Sequence, residues 1–348
     1  MMEDLYYGMR WKLRMVSAFI RGLYAVNVMR SPGVILPSML TIKITDRCNY
    51  RCVMCNEWKI GDRAEELSKD AWLTVLDDFR DMGGFSVRFT GGEVFIRKDI
   101  YKIIAHAKSI GLRVSVATNG HFIEYSLPML VESSVDHITV SLHGRKEIHD
   151  AIVGVEASYD AVTAAVERLV DAGFPTSIAF TVLKDNIGDI EYAVDLARRK
   201  GATIGFNIFD TNPYFFKDID RSLAPSTEAM ERVTRLLVAL KKKWPKTVRE
   251  SVEVLETIPA LCRDSRLPDY YCARVLMEVS VDSFGNVYHG CWAMPSVGNL
   301  KSAGLDEICR SRAYLEQRLK GFLKECPGCT CGFGLDVKMN LLRRRDRQ

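Results

Sequence analysis

Ten cysteines stand out in this 348-residue chain, because closely spaced thiols bind soft metals and iron–sulfur clusters. They fall into two groups, since none precedes Cys48 and none lies between Cys55 and Cys262. The cysteines are Cys48, Cys52, Cys55, Cys262, Cys272, Cys291, Cys309, Cys326, Cys329 and Cys331. A secreted disulfide scaffold is short and distributes its cysteines throughout the fold. Two separate groups of thiols instead predict two metal sites.

The first group lies in residues 48–55, with three residues and then two between successive cysteines. A [4Fe–4S] cluster takes four ligands, so Cys48, Cys52 and Cys55 would leave one iron open. Zinc bound by three thiolates and one further ligand is the alternative. The spacing alone leaves both open.

The second group lies near the carboxyl terminus. Cys272 and Cys291 bracket a predicted hairpin, and Cys326, Cys329 and Cys331 follow together further along the chain. Two pairs of thiols on separate elements fit either one zinc ribbon or one iron–sulfur cube. Here too the spacing permits both.

The elements that position the first group form a regular alternation. Short apolar runs predict six strands, and amphipathic stretches between them predict helices. The predicted strands span residues 40–45, 86–90, 113–117, 137–141, 177–182 and 203–208. Ser68 and Ser158 are predicted to cap two of the helices. The predicted α/β fold is either an open doubly wound sheet or a partly closed barrel, and both place ligands at the carboxyl ends of the strands.

Small and polar residues follow three of these strands. The motifs are Gly91-Gly92-Glu93, Thr118-Asn119-Gly120 and Ser141-Leu142-His143-Gly144. Two glycines let a ligand approach the backbone closely, and the glutamate adds a carboxylate. One such motif alone is usually a turn. Three at consecutive strand ends behind a cysteine loop predict a single binding site.

Beyond residue 210 the alternation stops. Residues 278–282 and 286–289 predict a hairpin, with Gly285 at its turn. We therefore divide the chain into an amino-terminal helical segment (1–37), a β/α core (38–210), a helical connection (211–260) and a cysteine-rich extension (261–348).

With these motifs the sequence resembles the radical S-adenosylmethionine (SAM) superfamily over residues 38–210. The cysteine loop matches the family's CxxxCxΦC signature, with Met54 at the apolar position. The resemblance implies a partial (β/α)6 TIM-like barrel with a small carboxyl-terminal hairpin-plus-helix iron–sulfur extension. It also implies that Cys48, Cys52 and Cys55 hold a [4Fe–4S] cluster whose open iron chelates SAM.

The same resemblance assigns the strand ends. Gly91, Gly92 and Glu93 look like the motif that receives the methionine ammonium of SAM, and Ser141 matches a position that contacts the ribose. Thr118 and Asn119 would line the same cavity. Many relatives read Ser-x-Asp or Ser-x-Glu where this chain has Ser141-Leu142-His143.

The carboxyl-terminal region resembles the extension called SPASM, or its shorter form, twitch. The residues that carry this resemblance are Val297-Gly298-Asn299-Leu300 and Leu305-Asp306-Glu307-Ile308. The shorter form implies one auxiliary [4Fe–4S] cluster held by Cys272, Cys291, Cys326 and Cys329, with Cys331 as a substitute for Cys329. Cys262 and Cys309 remain unassigned.

The resemblance implies an enzyme that cleaves SAM reductively to a 5′-deoxyadenosyl radical and abstracts a hydrogen atom from an unactivated C–H bond. An external reductant of the flavodoxin or ferredoxin type would supply the electron. The expected reaction is oxidation, crosslinking or other modification of a peptide or small molecule. A membrane lipid or its precursor is the alternative substrate. A non-catalytic zinc-binding module is the alternative of another class.

Charge and hydropathy bear on location. The net charge is +4, from 48 basic and 44 acidic residues, which is too small to call for nucleic acid as a partner. Unprotected thiols and the lack of a signal-like start predict a cytoplasmic protein. Residues 10–29 predict a basic amphipathic helix, which either contacts a membrane peripherally or packs its apolar side onto the neighbouring domain.

Overall fold

The computed structural model describes residues 2–32, 35–60, 65–209, 220–264, 267, 270–330, 337–338 and 340. The strands are β1 (Met39–Lys43), β2 (Ser86–Thr90), β3 (Arg113–Thr118), β4 (His137–Ser141), β5 (Thr176–Val182), β6 (Thr203–Ile208), β7 (Glu278–Val281), β8 (Asn286–Tyr288) and β9 (Gly298–Asn299). The helices are α1 (Met2–Tyr24), α2 (Glu57–Ile60), α3 (Lys69–Asp81), α4 (Ile100–Ser109), α5 (Ile123–Ser133), α6 (Lys146–Val153), α7 (Ser158–Asp171), α8 (Ile190–Arg199), α9 (Thr227–Lys243), α10 (Val252–Leu255), α11 (Ile258–Asp264), α12 (Arg274–Met277), α13 (Leu305–Arg310) and α14 (Arg312–Phe322).

The strands form one sheet in the order β6-β5-β4-β3-β2-β1-β7-β8-β9. The first six are parallel and lie in sequential order, which confirms the predicted α/β fold. Each of the six begins and ends within two residues of its predicted bounds. Since all six point the same way, their carboxyl ends meet at one edge of the sheet.

Helix α3 shows how local sequence sets an element. Its predicted cap is confirmed, because the Ala71 amide donates to Ser68 Oγ at 3.2 Å. Its buried stripe consists of Trp72, Val75, Leu76 and Phe79. This apolar face packs in the main core with the strands.

The predicted cap of helix α7 is wrong. Ser158 is the first helical residue and caps no amide. The carboxylate of Asp150, on α6, instead accepts from the amides of Ala157 (2.9 Å) and Tyr159 (2.8 Å) and from Ser158 Oγ (2.6 Å). A carboxylate at a helix amino terminus satisfies these amides and meets the positive end of the dipole, so a tertiary contact replaces the local cap.

The carboxyl-terminal hairpin joins the main sheet. The turn is as predicted, with Gly285 at φ +87° and strands β7 and β8 antiparallel on either side. Strand β7 also pairs in parallel with β1, from Met39 opposite Glu278 to Ile42 opposite Val281. β1 therefore lies inside the sheet, and the ends of β1 and β7 share the edge where the first cysteine loop begins.

Helix α1 continues into a π-helical turn, Ala25–Met29. Small residues face the body of the protein, since Ala18, Ala25 and Val26 are buried in a cluster with Phe322. Large apolar side chains elsewhere on the helix, among them Val16 and Ile20, are exposed, whereas Leu23 is partly buried and packs against this cluster. The packing of the apolar side onto the neighbouring domain is therefore confirmed for Leu23 and wrong for Val16 and Ile20. No described helix has the length and apolarity to cross a membrane.

Hydrogen exchange tests the pairing of β7 with β1. Amides in peptides covering Met39–Lys43 and Glu278–Val281 should fall in the same slowly exchanging class, because they share one hydrogen-bonded ladder and open together. Mass spectrometry of exchange-labelled protein measures this directly. If the 278–281 peptide exchanges as rapidly as an exposed loop while Ser86–Thr90 stays protected, the hairpin is not part of the core sheet.

Candidate active site

A cavity of about 180 Å³ opens at the carboxyl ends of the parallel strands. It brings together nine of the ten residues predicted for the SAM site and its cluster. They are Cys48, Cys52, Met54, Cys55, Gly91, Gly92, Thr118, Asn119 and Ser141. The tenth, Glu93, lies behind this lining.

The cysteine loop is held in place by its backbone. The amides of Arg51 and Val53 donate to carbonyls at the end of α6, at 3.0 and 2.9 Å. The Trp58 indole donates to the Cys52 carbonyl at 3.2 Å. All three thiols of the loop are partly exposed. The loop is thus clamped from α6 and from α2 while its sulfur atoms remain accessible.

The electrostatics of the loop suit a cationic metal centre. Burial, with smaller contributions from the neighbouring thiols, raises the pKa of the Cys52 thiol to about 12 and that of Cys55 to about 11. Burial likewise raises the pKa of Cys48. Thiolates so close together repel one another, and a bound metal supplies the positive charge that deprotonates them. These three residues therefore fit an iron–sulfur cluster chemically.

The two glycines after β2 allow an unusually close backbone approach. A Cβ on Gly91 would lie 2.2 Å from the Thr45 carbonyl oxygen, and one on Gly92 would lie 2.2 Å from that of Arg47. Gly91 also has φ +139°, which disfavours other residues. The Gly92 amide donates to Thr45 O at 2.8 Å. The glycines thus pin the end of β2 against the start of the cysteine loop.

Glu93 is completely buried and joins neighbouring strand ends. Its Oε1 accepts from Thr118 Oγ1 (2.8 Å) and the Phe95 amide (3.1 Å), and Oε2 accepts from the Asn119 amide (2.7 Å). Burial raises the pKa of this carboxyl to about 7, although the three donated bonds act to lower it. Its observed role is to hold the end of β3, and its contact with SAM stays a prediction.

His143 lines the cavity two residues after Ser141. Its Nδ1 accepts from the Thr181 amide at 3.2 Å, so the neutral ring carries its proton on Nε2. Burial, with a smaller contribution from His149, lowers the pKa of His143 to about 3. This wall of the cavity therefore holds a neutral imidazole with an N–H donor.

Sequence reasoning missed Glu57, which also lines the cavity. It accepts from Lys43 Nζ at 2.5 Å, and the same ammonium lies 4.9 Å from the centre of the Trp292 ring. Trp292 follows Cys291 in the chain. An ion pair and a cation–π contact therefore connect the first cysteine loop with the second cysteine region. No local pattern indicated this link, because its members are far apart in sequence.

Three cysteines of the second group share one cluster of buried residues. Cys291 is buried in it, and Cys272 and Cys326 pack against it. Thr330, next to Cys329, donates through Oγ1 to the Ile208 carbonyl at 3.0 Å, which places this loop beside the end of β6. The extension therefore meets the same sheet edge as the cavity.

The remaining cysteines separate by environment. Cys309 is buried in α13 within the main core, where burial raises its pKa to about 12, and Cys262 packs against the same core from α11. Cys331 lies outside the described residues. Among the described residues, no three His, Cys, Asp or Glu side chains are arranged to hold a single metal ion.

His289 is a further residue that the sequence did not single out. It lies two residues before Cys291, is fully buried, and has no hydrogen-bond partner on either ring nitrogen among the described residues. A buried imidazole normally has a partner, so its nitrogens are available to a group bound beside the second cysteine cluster.

Comparison with known proteins shows what this core is similar to. Residues 42–197 match the model of the Radical SAM superfamily. This segment contains the cysteine loop and all three strand-end motifs, so the similarity covers the whole candidate site.

Individual relatives extend the likeness beyond that segment. PqqA peptide cyclase of Rhizobium meliloti is 26% identical over 321 residues, which cover 86% of this chain and 80% of that protein. Fe-coproporphyrin III synthase of Methanosarcina barkeri is 32% identical over 155 residues, 44% of this chain. The chain covers only 39% of that synthase.

Solved structures show the same fold. SuiB of Streptococcus suis, bound to S-adenosylmethionine, superposes with a TM-score of 0.67 at 17% identity, over 85% of this chain and 73% of that one. The enzyme anSMEcpe with bound AdoMet gives 0.64 at 18% identity, over 89% and 92%. The partial barrel predicted from the sequence is thus confirmed.

The neutral state of His143 predicts a pH dependence of stability. The folded protein holds its pKa near 3, whereas the unfolded chain takes up a proton near pH 6.5. The contribution of His143 to the free energy of unfolding is therefore fully present above pH 6.5. It is lost as the pH falls towards 3, at about 1.4 kcal/mol per pH unit. His143→Gln removes this titrating group, so the free energy of unfolding should depend less steeply on pH, by the amount that corresponds to one proton. Urea unfolding between pH 7 and 4 measures this dependence.

His143→Asn is the companion variant, because it also removes the titrating group. Both variants should flatten the profile equally. An unchanged slope in both would mean that the His143 ring titrates normally in the folded protein, and flattening by only one would point to packing instead.

Proposed function

We propose that this protein is a radical SAM enzyme that modifies a peptide. The observation that carries the proposal is the meeting of three cysteines with the glycine motif after β2 and with Ser141 in one cavity of a segment that matches the Radical SAM superfamily. When bound, the cluster supplies the electron that splits SAM into methionine and a 5′-deoxyadenosyl radical, which takes a hydrogen atom from the substrate.

Cys48, Cys52 and Cys55 would hold the [4Fe–4S] cluster, and one iron would stay open for SAM. Their loop is fixed from two helices, while burial disfavours free thiolates without a metal charge. The protein's contribution is to bind and orient the cofactors and to keep water away.

The SAM-contacting residues would be Met54, Gly91, Gly92, Glu93, Thr118, Asn119 and Ser141. The glycines present backbone at the cavity wall, where a Cβ would be blocked by the chain after β1. Glu93 keeps Thr118 and Asn119 in position. Its partial negative charge would lie behind the position proposed for the methionine ammonium of SAM. Ser141 offers a hydroxyl to the ribose.

The extension would form a SPASM/twitch-type domain with an auxiliary [4Fe–4S] cluster. Its ligands would be Cys272, Cys291, Cys326 and Cys329, with Cys331 as a substitute for the last. Packing of Cys272, Cys291 and Cys326 around one buried cluster supports this assignment. We retain the division at residues 1–37, 38–210, 211–260 and 261–348, with the extension sharing the core sheet through β7.

A peptide is the substrate class with the broadest support. PqqA peptide cyclase is similar to 86% of the length of this chain. SuiB, which shares the fold, has been crystallised with the precursor peptide SuiA. An auxiliary cluster would accept the electron left on a peptide radical, which favours oxidation or crosslinking. A reductant of the flavodoxin or ferredoxin type, and a cytoplasmic location, complete the proposal.

Replacing Cys48, Cys52 and Cys55 together by alanine should abolish SAM cleavage and remove half of the iron. The native protein should carry about eight irons, from two four-iron clusters, after anaerobic reconstitution. Iron analysis and chromatographic detection of 5′-deoxyadenosine after reduction measure both quantities.

The matched control is the variant in which alanine replaces Cys272, Cys291, Cys326 and Cys329. This variant should also lose half of the iron, but its SAM cleavage should remain detectable. Cys309→Ala should change neither quantity, since that thiol lies in the apolar core. Cleavage by the first variant would place the SAM cluster elsewhere. Stoichiometric zinc without iron in the native protein would favour the zinc-binding module.

Deuterium transfer tests the substrate class. Peptides and small proteins extracted from deuterium-grown source cells should give 5′-deoxyadenosine one mass unit heavier, because the radical removes deuterium from a substrate C–D bond. Mass spectrometry reads the product. Lipids extracted from the same cells serve as the comparison. Deuterium transferred from the lipids alone, or from neither extract, would contradict peptide modification.

A further inference from the structure

The outer side of α1 is the most apolar exposed surface among the described residues. Of the fourteen large hydrophobic side chains that are exposed in the described part of the chain, eight lie between residues 13 and 29. They are Leu13, Met15, Val16, Phe19, Ile20, Tyr24, Val28 and Met29. Single exposed apolar residues are ordinary on a protein surface, but a contiguous set marks an interaction site.

One row of this set faces directly away from the protein. Leu13, Val16, Ile20 and Tyr24 follow one another at steps of three or four residues, so they form one row, which we call the outer stripe. They are 64%, 48%, 58% and 55% exposed. The opposite face carries the buried Ala18, Gly22, Ala25 and Val26. Small residues thus dock the helix, and the large ones have no partner in the described chain.

The positively charged residues beside the outer stripe favour an anionic binding partner. Arg14 and Arg21 flank the stripe and Arg30 follows the π-helical turn, and all three are exposed. Residues 11–30 contain no aspartate or glutamate. Exposed arginines around an apolar row complement anionic headgroups above an acyl layer, and Tyr24 is of the type that prefers this boundary. A second copy of the chain would instead bring like charges together.

We propose that the outer stripe docks this protein on an anionic phospholipid surface, with α1 lying parallel to the membrane plane. The apolar row enters the boundary between headgroups and acyl chains, and the arginines contact the phosphates. Because Ala18, Ala25 and Val26 pack in the cluster that contains Cys291, docking would hold the second cysteine group beside the membrane.

Vesicle sedimentation tests the proposal. The full-length protein should bind vesicles of equal parts phosphatidylglycerol and phosphatidylcholine, and it should bind pure phosphatidylcholine at least about tenfold more weakly. Raising the salt concentration should weaken binding, since exposed charges are screened. Val16→Glu with Ile20→Glu should reduce binding to the anionic vesicles at least about tenfold, because both side chains are exposed and the fold does not depend on them.

Two further variants separate the contributions. Arg14→Glu with Arg21→Glu should also lose at least about tenfold and should bind with little dependence on salt. Tyr125→Glu with Val131→Glu, which changes two exposed large hydrophobic residues on α5, is the matched control and should bind as the native protein does.

Three results would overturn the proposal. The native protein could fail to sediment with anionic vesicles, or the Val16→Glu, Ile20→Glu variant could retain full binding. Alternatively, light scattering could show a native dimer that this variant dissociates, which would assign the outer stripe to a second copy of the chain.

Discussion

The close approach of β2 to the chain that follows β1 is the constraint on which the site depends. Gly91 and Gly92 lie so near the carbonyls of Thr45 and Arg47 that any Cβ would collide with backbone. The amides after β2 donate to these same carbonyls, so the cysteine loop starts from a fixed position. With β1 held between β2 and β7, the loop projects over the cavity instead of away from it.

Low polarity behind the cavity wall governs the chemistry of its side chains. Glu93 is buried yet satisfied by three donors, and His143 is buried in its neutral form. Such groups provide fixed dipoles without large compensating motions. The neutral imidazole of His143 adds an N–H donor to this wall but no charge.

The extension is part of the core rather than an appendage. Pairing of β7 with β1 fills the edge that six sequential parallel strands would leave free. It also brings Trp292 over Lys43, whose partner Glu57 lines the cavity. The two groups of cysteines, more than two hundred residues apart in sequence, therefore belong to one continuous structure.

The sequence by itself determined the strands, the hairpin turn, the cap at Ser68 and the cysteine, glycine and serine motifs, because each depends on local periodicity or on one residue's conformational range. Only the tertiary structure decided that Asp150 caps α7, that Glu93 holds the end of β3, that β7 joins β1, and that most large side chains in the outer part of α1 point outwards. These features depend on contacts between segments that are distant in sequence. A local sequence pattern does not specify which distant segment will pack against it.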